Sequence, residues 1–143
     1  MKQLIVLILL SLVFTQFTVF AETKEGPCKL NSEERFKVQV GNKIKGTCEF
    51  YIDEFFGKKI ISANIWIENT TKKSMHCQYN VAFFDSEGKL IGCASQGTFD
   101  EEGLAAGKST MLGSCLIPFP PGLHEKAVQY KIAFYESEKQ IGK

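Results

Sequence analysis

Val81-Ala82-Phe83-Phe84-Asp85-Ser86-Glu87-Gly88-Lys89-Leu90-Ile91-Gly92 reads as a strand, a tight turn and a returning strand. Successive strand residues point to opposite faces, so Val81 and Phe83 belong to one apolar face and extend upstream through Cys77 and Tyr79. Gln78, Asn80 and Ala82 fall on the other. Asp85 can bond its own backbone two residues on, and Gly88 supplies the left-handed position that such a turn needs. Leu90 to Gln96 then returns.

Working outward, the same period of two recurs on both sides of this hairpin. Phe36, Val38 and Val40 alternate with Lys37 and Gln39, and Gly41-Asn42 is a turn. Cys48, Phe50 and Ile52 alternate with Thr47, Glu49 and Tyr51. Asp53 to Lys59 reads as a loop, with Gly57 at positive φ. Ile61, Ala63, Ile65 and Ile67 form an inward set, and Trp66 is placed on the opposite face. Asn69 to Ser74 is a polar loop. Gly97 to Gly107 is a longer one. Ser109 to Ile117 is a strand that Pro118, Pro120 and Pro121 end. Val128, Tyr130, Ile132 and Phe134 mark the last strand. No stretch beyond the leader carries a 3.6-residue apolar period. Seven or so short strands predict an all-β fold, a single immunoglobulin-like antiparallel β-sandwich packed on Ile65, Ile67, Val81, Phe83, Leu112, Ile132 and Phe134.

The chain has 143 residues. Lys2, the apolar run from Leu4 to Leu10 and its looser continuation to Phe20 have the three-part form of a secretory signal peptide, with cleavage after Ala21. An uncleaved anchor is the alternative, weakened by Thr15, Gln16 and Thr18. The expected organisation is a leader over 1–21, a loose arm over 22–34 and the sandwich over 35–143. Of the 17 Lys and Arg, Lys2 leaves with the leader, so 16 remain against 16 Asp and Glu. A neutral balance without a basic stripe argues against nucleic acid and against a polybasic lipid-binding segment. The expected membrane contact is through the leader alone, where it is uncleaved.

A family resemblance rests on three stretches. Ala63-Asn64-Ile65-Trp66-Ile67-Glu68-Asn69-Thr70-Thr71 looks like the strand ending in Asn that opens FxLYD-type domains. Val81-Ala82-Phe83-Phe84-Asp85 is similar to the Phe-x-Leu-Tyr-Asp that names them, with Val81 and Phe83 in place of Phe and Leu. Glu87-Gly88-Lys89-Leu90-Ile91-Gly92 matches the following turn. Leu104 with Gly107-Lys108 resembles the later Leu-x-Pro-Gly turn, with Ala106 where the family has Pro. The resemblance spans roughly residues 60–135 and implies an extracytoplasmic immunoglobulin-like sandwich. The family carries no recognised catalytic residues, and none is transferred.

The residues that could carry chemistry are few. Gly103-Leu104-Ala105-Ala106-Gly107-Lys108-Ser109 fails as a phosphate-binding loop, since three residues separate the glycines where four are required and a strand follows. His76 and Cys77 are neighbours on a strand and point apart, so they make no thiol–imidazole dyad. Neither His76 nor His124 has metal-ligand spacing, although soft Cys/His ligation of copper is a reading to weigh. Asp100-Glu101-Glu102 lacks the alternating calcium-loop pattern. The five cysteines, Cys28, Cys48, Cys77, Cys93 and Cys115, contain no Cys-x-x-Cys pair. Export makes disulfides available, and the odd number leaves one over. Cys93 and Cys115 flank the long loop symmetrically and are expected to bridge, a closure worth on the order of 3 kcal/mol. Cys28–Cys48 is the weaker candidate. Asn69-Thr70-Thr71 is a glycosylation sequon, with a strand-ending turn as its simpler role.

Two apolar clusters sit in turns: Phe55-Phe56, and Phe119 with Leu123 among prolines. Exposed, they form a candidate partner surface; otherwise they plug an open end of the sandwich. The chain is therefore expected to be an exported, non-catalytic binding or protein-interaction module, periplasmic or extracellular, without cofactor, meeting another envelope or extracellular protein. The alternatives are a metal- or thiol-dependent small periplasmic protein using His76, His124 or a free Cys, and a carbohydrate-binding sandwich using Trp66, Phe55 or Tyr51.

Overall fold

The computed structural model describes residues 20–98, 101–117 and 123–141. Eight strands follow in chain order: β1 (Phe20–Pro27), β2 (Phe36–Val40), β3 (Ile44–Phe55), β4 (Lys58–Asn69), β5 (His76–Phe84), β6 (Leu90–Gly97), β7 (Ser109–Ile117) and β8 (Gln129–Ser137). A 3-10 turn at His124–Lys126 precedes the last. The strands make two four-stranded antiparallel sheets, in the orders β1-β8-β5-β6 and β2-β3-β4-β7.

The inward sets read from the alternation form one core. Phe50, Ile61, Ile65, Tyr79, Val81, Phe83, Ile132 and Phe134 are buried, and Leu112 packs against them half-buried. Phe50 of the second sheet meets Phe83 of the first edge-to-face, with ring centroids 5.3 Å apart and planes at 81°. That geometry suits the ring quadrupoles and adds about 1 kcal/mol to what burial alone supplies. Asp85 Oδ1 accepts hydrogen bonds from the Glu87 and Lys89 amides at 3.0 and 2.8 Å, and Gly88 takes φ +79°. The β5–β6 turn is thus the one its sequence specifies.

Four differences from expectation have physical causes. Residues 22–27 of the loose arm expected over 22–34 belong to a strand, β1. β1 lines the edge of the first sheet along β8, and the side chains it turns inward are charged. Lys24 Nζ donates to the Gln39 carbonyl at 2.5 Å and Glu22 Oε2 accepts from the Gly41 amide at 2.5 Å. Both reach across to the other sheet, so no apolar alternation marks the strand. The loop expected over 53–59 shrinks to a two-residue turn, because the β3–β4 ladder runs out to Phe55 opposite Lys58.

The Cys93–Cys115 bridge does not form. Cys93 is a free, exposed thiol on β6 in the first sheet, whereas the Cys115 backbone pairs with Ala63 in the second. The connection from β6 to β7 crosses between sheets instead of closing a hairpin. Cys28 and Cys48 are likewise free and buried, Cys28 Sγ contacting the Ala127 carbonyl at 3.8 Å. Residues 1–19 of the expected leader and Phe119 lie outside the described residues.

At one end of the sandwich the two sheets are clipped together by buried charge. Glu136 of β8, 1% exposed, accepts hydrogen bonds from the amides of Asn42, Lys43 and Ile44 at 2.6, 2.7 and 2.8 Å. With Glu22 on Gly41, four consecutive amides of the β2–β3 turn are satisfied by carboxylates of the opposite sheet. Successive amides converging on an anion form a backbone nest. At this same end Asn69 closes β4. Its Nδ2 donates to the Lys73 and Leu104 carbonyls at 2.7 and 2.8 Å, and its Oδ1 accepts from Thr71. The residue is fully buried, so the sequon amide serves the turn and is closed to a glycan.

Candidate functional site: the β3–β4 tip

At the opposite end, β3 and β4 run past the body of the sandwich. All seven residues from Asp53 to Lys59 are exposed. The turn is Phe56-Gly57, both at positive φ, 50° and 69°. A two-residue hairpin of this kind favours Asn-Gly, because the first position must be left-handed. Phe56 is the one non-glycine at positive φ among the described residues. A bulky side chain there costs on the order of 1 kcal/mol.

The cost is not recovered by packing. Phe56 is 89% exposed and Phe55 50%, and among the described residues their ring contact is with each other, centroids 4.4 Å apart and planes at 70°. From the apex backwards, the first cross-strand pair is Phe55 with Lys58 and the next is Glu54 with Lys59. Lys59 Nζ comes within 3.9 Å of Glu125 Oε1, which brings the turn at His124–Lys126, directly after Leu123, to the same end as the tip. Leu123 itself is half-buried. Exposed Leu90 and Val128 also lie at this end, beside the β5–β6 turn. Among the described residues, four of the six large exposed apolar side chains therefore collect at one pole; Trp66 and Met111, opposite each other on the second sheet, are the others.

The remaining sequence candidates are placed apart. Trp66 is 51% exposed, but Tyr51 is half-buried beneath the Arg35 guanidinium, 4.9 Å from its ring centroid, and Phe55 is at the tip. No common platform of ring faces results. Arg35 and Lys37 converge on Glu49 at 2.7 and 3.0 Å. Lys37 and then Arg35 hold this carboxylate below its usual range against the opposing effect of burial. The cluster is a closed ion-pair network.

His76 and His124 are both buried; among the described residues Nδ1 of His76 and both ring nitrogens of His124 meet no hydrogen-bond partner, and Glu125 stands 3.5 Å from His124 Nε2. Among the described residues no three His, Cys, Asp or Glu side chains are grouped to hold a metal ion. Burial pushes the thiols of Cys48 and Cys77 up to about 12, and that of Cys28 to about 11. At neutral pH these groups are protonated and poor nucleophiles. Leu104 of the sequence Gly103–Ser109 is buried and bridges to Met75, so that segment is a packed turn.

Sequence reasoning found Phe55 and Phe56 but could not say that they project. The signal available was the missing Asn: a Phe-Gly turn where Asn-Gly would cost nothing.

No protein-family model matches the chain, and no curated protein does. Among solved structures, a chain in the structure of infectious bursal disease virus Gx strain is similar over 87% of this chain and 28% of its own length, with 11% identity and a TM-score of 0.38.

Proposed function

We propose that this chain is an exported, non-catalytic binding module of the cell envelope or extracellular space, and that it docks through the β3–β4 tip. The observation that carries the reading is Phe56, an aromatic ring held almost wholly in water by a backbone conformation that disfavours it. Such a residue adds nothing to the fold, and exposed apolar clusters mark contact surfaces.

The finer fold assignment belongs to the same proposal: an immunoglobulin-like sandwich of FxLYD type. The order β6-β5-β8 over β3-β4-β7 supports it, with the chain crossing between sheets after β4, β6 and β7. So does the placement of the Val81–Gly92 stretch on the β5–β6 hairpin. β1 then fills the sheet position beside β8 that a final strand would otherwise take.

Affinity capture from the native envelope fraction tests the docking reading. Wild type is compared with a Phe55→Ser/Phe56→Asn variant shown to be folded and at least as stable to heat. Loss of retained material in the variant is the expected result. Identical retention by both removes the tip from the function.

A further inference from the structure

The tip that the docking reading rests on has a shape and chemistry that narrow its partner. It is convex, and a Cβ placed at Gly57 would meet nothing within 4 Å. Its turn is Phe56-Gly57, and the first rung behind it pairs Phe55 with Lys58. A protein pocket selects by shape and by hydrogen bonds at its rim. A bilayer interface asks only for apolar side chains that enter the headgroup–acyl boundary and cations beside the phosphates.

The order of residues back from the apex meets that demand. Phe56 and Phe55 come first, then Lys58 across from Phe55, then Lys59 across from Glu54, with Asp53 further back. Lys58 stands one rung nearer the apex than Glu54 and Lys59, which share a rung, and Asp53 lies behind both. Exposed Leu90 and Val128 at the same pole extend the apolar character behind the tip.

We infer that the β3–β4 tip is a lipid-interface anchor: Phe55 and Phe56 enter the surface of a bilayer while Lys58 and Lys59 engage lipid phosphates. This inference rests on the docking reading and specifies its occupant. It also departs from the expectation that only the leader touches membrane. The chain enters β1 at Phe20, opposite Glu136, at the clipped pole. The tip is at the other pole. An anchor made of the tip therefore acts independently of the leader, and requires that the exported chain be free of it or reach a second surface.

Depth-sensitive fluorescence decides the matter. The chain is recovered from a secreting host and its N-terminus read by mass spectrometry. Two forms are compared: wild type, whose one Trp is Trp66, and a Trp66→Phe/Phe56→Trp variant. Each is mixed with phosphatidylcholine vesicles, with or without about one-third phosphatidylglycerol, carrying bromine on the upper acyl chain.

The indole at position 56 is expected to shift to the blue and to be quenched at least two-fold. Trp66, about 26 Å back along β4 at a rise near 3.3 Å per residue, stays unquenched. Adding Lys58→Gln and Lys59→Gln is expected to weaken partitioning into the anionic vesicles about thirty-fold. An indole at 56 unquenched in both vesicle types overturns the lipid inference. If the Phe55→Ser/Phe56→Asn variant nonetheless loses envelope material in the capture experiment, the docking reading stands with a protein as its occupant. If capture is unchanged as well, both fall.

Discussion

Glu136→Gln is the substitution that most directly tests how the two sheets are held. The carboxylate is 1% exposed and receives three amides at 2.6, 2.7 and 2.8 Å. Bonds to an ionised group contribute about 1.5–3 kcal/mol each, against about 1 for a neutral pair. Gln keeps the shape but has one acceptor oxygen. Its NH2 must face at least one amide that had been satisfied, and a buried N–H left without a partner costs about 1–3 kcal/mol. The two bonds that survive each weaken by about 1 kcal/mol. The expected loss is about 3–5 kcal/mol, a large part of the ~5–15 kcal/mol that holds a domain of this size.

In urea, with a slope near 2 kcal/mol/M, the midpoint should fall by about 2 M at unchanged slope. Glu138→Gln is the control. That carboxylate lies one residue past β8 and pairs in solvent with Lys73 at 2.8 Å, so its midpoint should not move measurably. A Glu136→Gln midpoint indistinguishable from that of Glu138→Gln would refute the reasoning, since the nest would then contribute nothing.

Phe56→Asn should raise stability by about 1 kcal/mol, seen as a higher Tm, because Asn tolerates the left-handed conformation and no packing is lost; a lower Tm would mean that the ring packs. Asn69→Asp should cost at least about 3 kcal/mol at pH 7 by burying a carboxyl against the Lys73 and Leu104 carbonyls, and should recover in part as the pH is lowered, from above the usual carboxylate range because burial and the facing carbonyls favour the protonated form. Iodoacetamide should modify Cys93 in the folded protein within minutes, while Cys28, Cys48 and Cys77 react only on denaturation, as peptide mapping would read. Folded Cys48 and Cys77 keep their protons to about pH 12 against 9.0 for the free group. The unfolded chain therefore releases protons first, and stability is full below pH 9 and falls above it, by up to about 1.4 kcal/mol per pH unit per thiol. A Cys48→Ala/Cys77→Ala variant should show a shallower decline between about pH 9 and 11, and an equal slope would count against the burial account.

The inward residues were legible because the sheet period is a property of backbone geometry alone. Cys48, Phe50, Ile65, Val81, Phe83, Ile132 and Phe134 each fall where alternation put them. β1 was illegible for the opposite reason. Its inward side chains, Glu22 and Lys24, are chosen for backbone groups of the other sheet, and a hydrophobic pattern cannot register a partner that lies 15 or more residues away. Glu136 was hidden in the same way, reading as a polar residue after the last strand's apolar set. The cysteine pairing failed because symmetry about a loop centre assumes a hairpin. Only the sheet assignment of β6 and β7 distinguishes a hairpin from a crossing, and that depends on every other strand.

These features divide the sandwich into two unlike poles. At one, buried carboxylates and the Asn69 amide satisfy the backbone of the turns. At the other, the turns carry Phe55, Phe56, Leu90 and Val128 into solvent. A fold selected only for stability would treat both poles as the first is treated, since an Asn-Gly turn and a polar residue at 55 lie within a few nucleotide changes. Exposed singly, such residues would need no explanation. Gathered at one pole, with one of them in a conformation that costs free energy, they point to contact there. The core explains why the chain folds, whereas the tip is intelligible only through something outside the chain.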